Sequence, residues 1–141
     1  MGYRKKRAAS GRAGARAGFL YTTENPVEKT PVTDTHLLLW RHAEAGPGLP
    51  DLRRGLTSRG ERQARQMARW LIRHAPRQLR VLVSPATRTR QTADALHLRY
   101  QIDARLAPGA GVADLLAAAR EGEAGATLVV GHQPTLGRAA S

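Results

Sequence analysis

The sequence predicts an α/β fold: a mostly parallel sheet with helices on both faces, a three-layer α/β/α sandwich. Three observations carry this. Apolar runs of strand length, Leu37-Leu38-Leu39-Trp40, Leu79-Arg80-Val81-Leu82-Val83 and Ala126 to Val130, lack strict in–out alternation, as expected of strands covered on both sides. Stretches with helical spacing separate them, and that alternation is the mark of parallel sheets. The runs stop at polar or charged residues, at the edge where open α/β sheets bind ligands.

The first strand spans about 35–40 and meets Arg41-His42-Ala43-Glu44. Gly46-Pro47-Gly48-Leu49-Pro50 is a turn-rich loop leading to Asp51-Leu52-Arg53-Arg54-Gly55. A helix begins near Thr57-Ser58, where Ser58-x-x-Glu61 has capping-box spacing. Ala64, Met67, Ala68, Leu71 and Ile72 make its inward stripe, and Arg62, Arg65, Arg69 and Arg73 its solvated face. Ala75-Pro76 ends it.

Leu79–Val83 is the second strand. Ser84-Pro85 opens a helix over roughly 86–97, with proline at a first-turn position and Arg88 in the first turn. Residues 99–102 suit a short strand. Val112–Arg120 suits a short helix with Val112, Leu115 and Leu116 inward. Ala126–Val130 is a further buried strand, ending at Gly131-His132-Gln133-Pro134.

Length and composition narrow the classes. The 141 residues suffice for one ordinary domain and its core. With no cysteine, disulfides and thiolate metal sites are excluded. No run reaches the ~18 apolar residues of a membrane span, and Phe19-Leu20-Tyr21 is too short for the apolar part of a secretory signal. The formal net charge of +12 invites a nucleic-acid reading. Half of that excess lies in Arg4, Lys5, Lys6, Arg7, Arg12 and Arg16, and aromatics make up only 4% of the chain, few platforms for base stacking. Residues 1–34, rich in Gly, Ala, Arg, Thr and Pro, read as a basic disordered extension, and 35–141 as the domain. A non-catalytic module binding polyanions through residues 1–20 is the reading from another class. It leaves the histidines unexplained.

Two apolar runs each end in a histidine, His42 and His132, and a third ends at Ser84-Pro85 with Arg88 close behind. Parallel strands bring these ends to one sheet edge, where two imidazoles and two or three guanidiniums suit a phosphate-sized anion. Arg41-His42, Ser84-Pro85-x-x-Arg88-x-x-Gln91-Thr92 and Gly131-His132-x-Pro134, in that order, resemble the three motifs of the histidine phosphatase (phosphoglycerate mutase-like) superfamily. Arg54-Gly55-Leu56-Thr57-x-x-Gly60, between the first two, makes the short SixA-type phosphohistidine phosphatases the most similar branch. The resemblance runs from about residue 36 to 137.

It implies a hydrolase needing no metal or other cofactor. His42 would be the nucleophile, Arg41 and Arg88 a clamp on the phosphoryl oxygens, Arg54 a third phosphate contact with Arg53 one register away, and His132 a donor to the transferring group. The implied partner is a phosphorylated protein carrying phosphohistidine, or a small phosphorylated substrate, with no membrane or nucleic acid involved. A cytoplasmic monomer is expected. Many relatives protonate an oxygen leaving group with a loop carboxylate, but residues 106–114 offer only Asp114, inside the expected helix. That favours the labile P–N bond of phosphohistidine over phosphomonoesters, with Glu44 and Asp51 as remaining candidates for a proton donor or an orienting group. His36, His74 and His97 match no motif. Relatives also continue for a few tens of residues beyond the second histidine, whereas the helix opened at Pro134-Thr135-Leu136 has only as far as Ser141 to run. The expectation is a C-terminally short domain with an unpaired strand edge and reduced stability and activity.

Overall fold

The computed structural model describes residues 2–7, 19–24, 36–122 and 125–141. Its sheet has six strands, β1 (Gly2–Arg7), β2 (Phe19–Glu24), β3 (His36–Arg41), β4 (Leu79–Val83), β5 (Gln101–Ile102) and β6 (Ala126–Gly131), in the order β1-β2-β3-β6-β4-β5. From β3 to β5 every pairing is parallel.

Side chains of β3 alternate between two cores. Leu38 and Trp40, with Val81, Val83, Leu128 and Val130, pack on one face against Met67 and Leu71 of α1 (Ser58–His74) and Ala93 of α2 (Thr87–Asp94). Leu39, Leu82 and Val129 pack on the other against Leu115 of α3 (Val112–Arg120) and Leu136 of α4 (Thr135–Ala139). This is the expected three-layer sandwich. Among the described residues, no helix is long and apolar enough to cross a membrane.

Several local expectations are corrected. The cap of α1 is Thr57, not Ser58: its side chain accepts from Gly60 N, and Ser58 is the first helical residue. Ile72 stands at the margin of the stripe and is 57% exposed. The second helix closes at Asp94 instead of 97, because Leu96 N and His97 N bond back only three residues and His97 takes a left-handed conformation (φ 54°). The short strand keeps only Gln101–Ile102.

Within 1–34, read as lacking regular structure, Gly2–Arg7 and Phe19–Glu24 are paired antiparallel strands, and Leu20–Thr22 pair with Leu38–Trp40. That side of β3 is thus covered by β2. Backbone pairing to an open edge needs no alternation of side chains, so the pattern gave no sign of it. The rest of that expectation, at residues 1, 8–18 and 25–34, lies outside the described residues.

Candidate active site

The strand order places the chemistry. β6 lies between β3 and β4, so His132, just past β6, sits between His42, just past β3, and Ser84, just past β4. The ends are level: His42 N donates to Gly131 O at 3.1 Å and Ser84 N to Val130 O at 3.1 Å. The rings of His42 and His132 lie 5.3 Å apart between centroids and are tilted by 56°. His132 Nε2 is 2.7 Å from Ser84 Oγ.

His42 Nδ1 is 2.7 Å from the carbonyl oxygen of Ala43. A carbonyl can only accept, so Nδ1 carries the proton and the neutral ring holds its lone pair on Nε2. Burial pushes the imidazole below its ordinary 6.5, with the charges of Arg88, Arg41 and Arg54 adding to it and the Ala43 bond opposing. Desolvation is the larger cause.

The loop carrying this histidine is tied down from two helices. Ala43 N donates to Thr92 Oγ1 at 3.0 Å, and Thr92 Oγ1 donates to Arg88 O at 2.7 Å. Glu44 N donates to Gln63 Oε1, Glu44 O accepts from Thr57 N at 3.0 Å, and its carboxylate accepts from Thr57 Oγ1 at 3.0 Å. Glu44 therefore fastens the loop to the start of α1. A Cβ at Gly60 would lie 2.0 Å from Glu44 O, so only glycine allows this approach. Gln91 Oε1 accepts from Leu56 N at 2.7 Å.

Arg88, in the first turn of α2, is 4% exposed. Its Nη1 donates to the Asp51 carbonyl at 2.9 Å and its Nη2 to Asp51 Oδ2 at 3.0 Å. Arg54 Nε donates to the other carboxylate oxygen at 3.0 Å, and its Nη1 to Gly46 O at 3.1 Å. One carboxylate thus bridges two arginines. Hydrogen bonds from Arg88 and Arg54 hold the Asp51 carboxyl below the usual carboxylate range, which makes it a poor proton donor in this state. Of the adjacent pair it is Arg54 that reaches this cluster; Arg53 is exposed. Arg41 is exposed at the end of β3. Asp114 lies exposed on α3.

Two buried nitrogens here, Arg88 Nε and His132 Nδ1, have no hydrogen-bond partner among the described residues. Orphaned nitrogens facing no acceptor, beside a free imidazole lone pair and several cations, suit a tetrahedral oxyanion. Among the described residues, no group of three or more His, Asp or Glu side chains is placed to hold a metal ion. Sequence reasoning named both histidines and the arginines. It did not single out Thr92, Gln91 and Gly60, although each stood in a quoted motif, nor the contact of Ser84 with His132.

Comparisons with known proteins bear on the family. Residues 37–110 match the family model of the histidine phosphatase superfamily, branch 1. A solved structure assigned as the phosphohistidine phosphatase SixA of Nakamurella multipartitia is 41% identical, with a TM-score of 0.66 over 73% of this chain. One assigned likewise from Agrobacterium tumefaciens is 28% identical, with a TM-score of 0.64 over 76% of this chain and 73% of that one. The protein histidine phosphatase SixA in complex with tungstate is 32% identical, with a TM-score of 0.60 over 73% of this chain and 72% of that one. The chain spans 62% of the length of the Nakamurella structure. Comparison with curated proteins finds no match.

Proposed function

The chain belongs to the histidine phosphatase superfamily, and from that premise we propose that it removes phosphate from phosphohistidine in a signalling or phosphotransfer protein, through a phosphohistidine intermediate on His42. The observation that carries this reading is the 2.7 Å bond from His42 Nδ1 to Ala43 O, which leaves Nε2 with its lone pair in a cationic pocket. In the first step Nε2 attacks phosphorus in line, the Nε2–P bond forms, and the P–N bond to the substrate imidazole breaks as that ring takes a proton from solvent. In the second, water attacks phosphorus, the Nε2–P bond breaks and returns its electron pair to Nε2, the water's proton passes back to solvent, and inorganic phosphate leaves.

Arg88 and Arg54, with Arg41 at the rim, would carry the charge on the equatorial oxygens, the part a metal ion plays in other phosphoryl transferases. Asp51 would give up its arginines as the phosphoryl group enters. The carboxylates favour a nitrogen leaving group: Asp51 is held ionised, Glu44 is spent on Thr57, and Asp114 is exposed on α3. A phosphoramidate leaves once its nitrogen is protonated, with less need of a dedicated enzyme acid.

Labelling with a radioactive phosphoryl donor tests the proposal. The expected adduct is alkali-stable, acid-labile and absent from His42→Ala. An unlabelled wild type, or equal labelling of the variant, overturns the intermediate. Faster turnover of sugar phosphates than of a phosphohistidine protein would make the enzyme a small-molecule phosphomonoesterase instead.

A further inference from the structure

We propose that Ser84 is a positioning residue: it fixes His132 with its proton on Nδ1, so that this ring presents an N–H donor to the transferring phosphoryl group. The inference rests on the phosphatase reading for its consequence, but its structural half stands on hydrogen-bond accounting alone.

Ser84 is fully buried (0% exposed) and His132 is 5% exposed, so both are withdrawn from bulk water. Ser84 Oγ touches two nitrogens, Ala86 N at 3.3 Å and His132 Nε2 at 2.7 Å. The amide of Ala86 can only donate, so it takes one oxygen lone pair. Two arrangements remain for the histidine bond. If the hydroxyl donates to Nε2, the imidazole proton is on Nδ1 and a single buried donor is left unmet. If Nε2 instead donates to the hydroxyl, the hydroxyl proton and the Nδ1 lone pair are both left unmet. Leaving a buried polar group unsatisfied is costly, so the first arrangement wins. With Arg88 Nε also lacking a partner among the described residues, the site then holds two donors awaiting an acceptor, which an oxyanion supplies.

The neutral ring this requires is the form the site favours. Burial pushes His132 down to about 3, with the charges of Arg88 and His42 adding to it. Ser84 also has the right place for the task, because β4 runs beside β6 and its end is level with the end of that strand. Its own strand contact and the Thr89 bond to its carbonyl, at 2.9 Å, hold its backbone still.

The test begins with the unliganded wild type, labelled with 15N-histidine and examined near neutral pH by long-range proton–nitrogen correlation. His132 is expected to show a protonated Nδ1 and an unprotonated Nε2; the reverse pattern overturns the assignment. Ser84→Cys, nearly isosteric but a weak donor, should redistribute the proton toward Nε2 and lower kcat by about tenfold or more, the scale of one lost hydrogen bond to a charged group, with KM changed far less. Ser84→Thr keeps the hydroxyl and should restore the wild-type pattern and most of kcat. A fall in kcat with the proton still on Nδ1 would show that Ser84 acts by packing, and the positioning role would be lost. If a variant does not fold, the wild-type spectrum still decides. Failure of the phosphatase reading shows separately, as a wild type that phosphoramidate does not label.

Discussion

The ends of β3 and β6 are built from nearly the same sequence, an apolar run that stops at a histidine, yet they present different nitrogens of the imidazole. At the β3 end the backbone carbonyl of Ala43 takes Nδ1 and leaves the Nε2 lone pair for attack. At the β6 end the hydroxyl of Ser84 takes Nε2 and leaves Nδ1–H for donation. Both rings carry the proton on the same nitrogen. What differs is which nitrogen the surroundings occupy, and that alone separates a nucleophile from a hydrogen-bond donor. The two ends also differ in support. The His42 loop is tied by Thr92, Thr57 and Gln63 from neighbouring helices, whereas His132 is buried and pinned by a single side chain.

The largest loss is expected at the β3 end. His42→Ala should lower turnover by about 10⁴-fold or more, because it removes the Nε2 lone pair that attacks phosphorus. His132→Ala should cost less, about 10²–10³ in kcat, the scale of one donor aimed at developing charge, while phosphoenzyme labelling persists at a reduced rate. Equal losses at the two positions, measured by single-turnover kinetics, would remove the distinction.

Gly60→Ala probes the support of the His42 loop. The 2.0 Å approach to Glu44 O must open, with a stability loss of about 1–3 kcal/mol seen in a thermal melt. Asp51→Asn probes the cations that both rings share. Freed from their internal carboxylate, Arg88 and Arg54 should bind inorganic phosphate several-fold more tightly, read as a lower inhibition constant. If Asp51 were the proton donor instead, ester turnover would collapse and phosphoramidate turnover would not.

The pH dependence sharpens the contrast further. His42 must be neutral to attack, and its pKa is lowered, so the acid limb of kcat/KM should fall below the ordinary 6.5. His132 is held neutral to about 3, whereas in the unfolded chain it protonates near 6.5. The unfolded state thus binds the extra proton, and His132 withdraws stability progressively as pH falls from 6.5 toward 3. His132→Gln should flatten that part of a stability–pH profile.

Much of this was legible in the sequence because burial on both faces leaves a mark: Leu37 to Trp40 and Ala126 to Val130 could hardly be exposed loops. The carboxyl edge followed from the parallel order, and with it the meeting of residues 42, 88 and 132. Ser84 was visible only as a motif letter, since its contact with His132 spans 48 residues and depends on β6 lying beside β4. The Asp51 bridge was hidden for a similar reason, because an ion pair from a loop to a helix has no periodicity. At α1, both Thr57 and Ser58 could cap, and the choice was made by Thr57 also bonding Glu44. β1 and β2 were missed because edge pairing uses backbone groups common to all residues.

In a crystal soaked in tungstate, one oxyanion is expected with its metal within bonding distance of His42 Nε2, one oxygen hydrogen-bonded to His132 Nδ1 and others on Arg88 and Arg54, with Asp51 displaced. An anion reached by only one of the two histidines, or bound while Asp51 keeps both arginines, would contradict this arrangement.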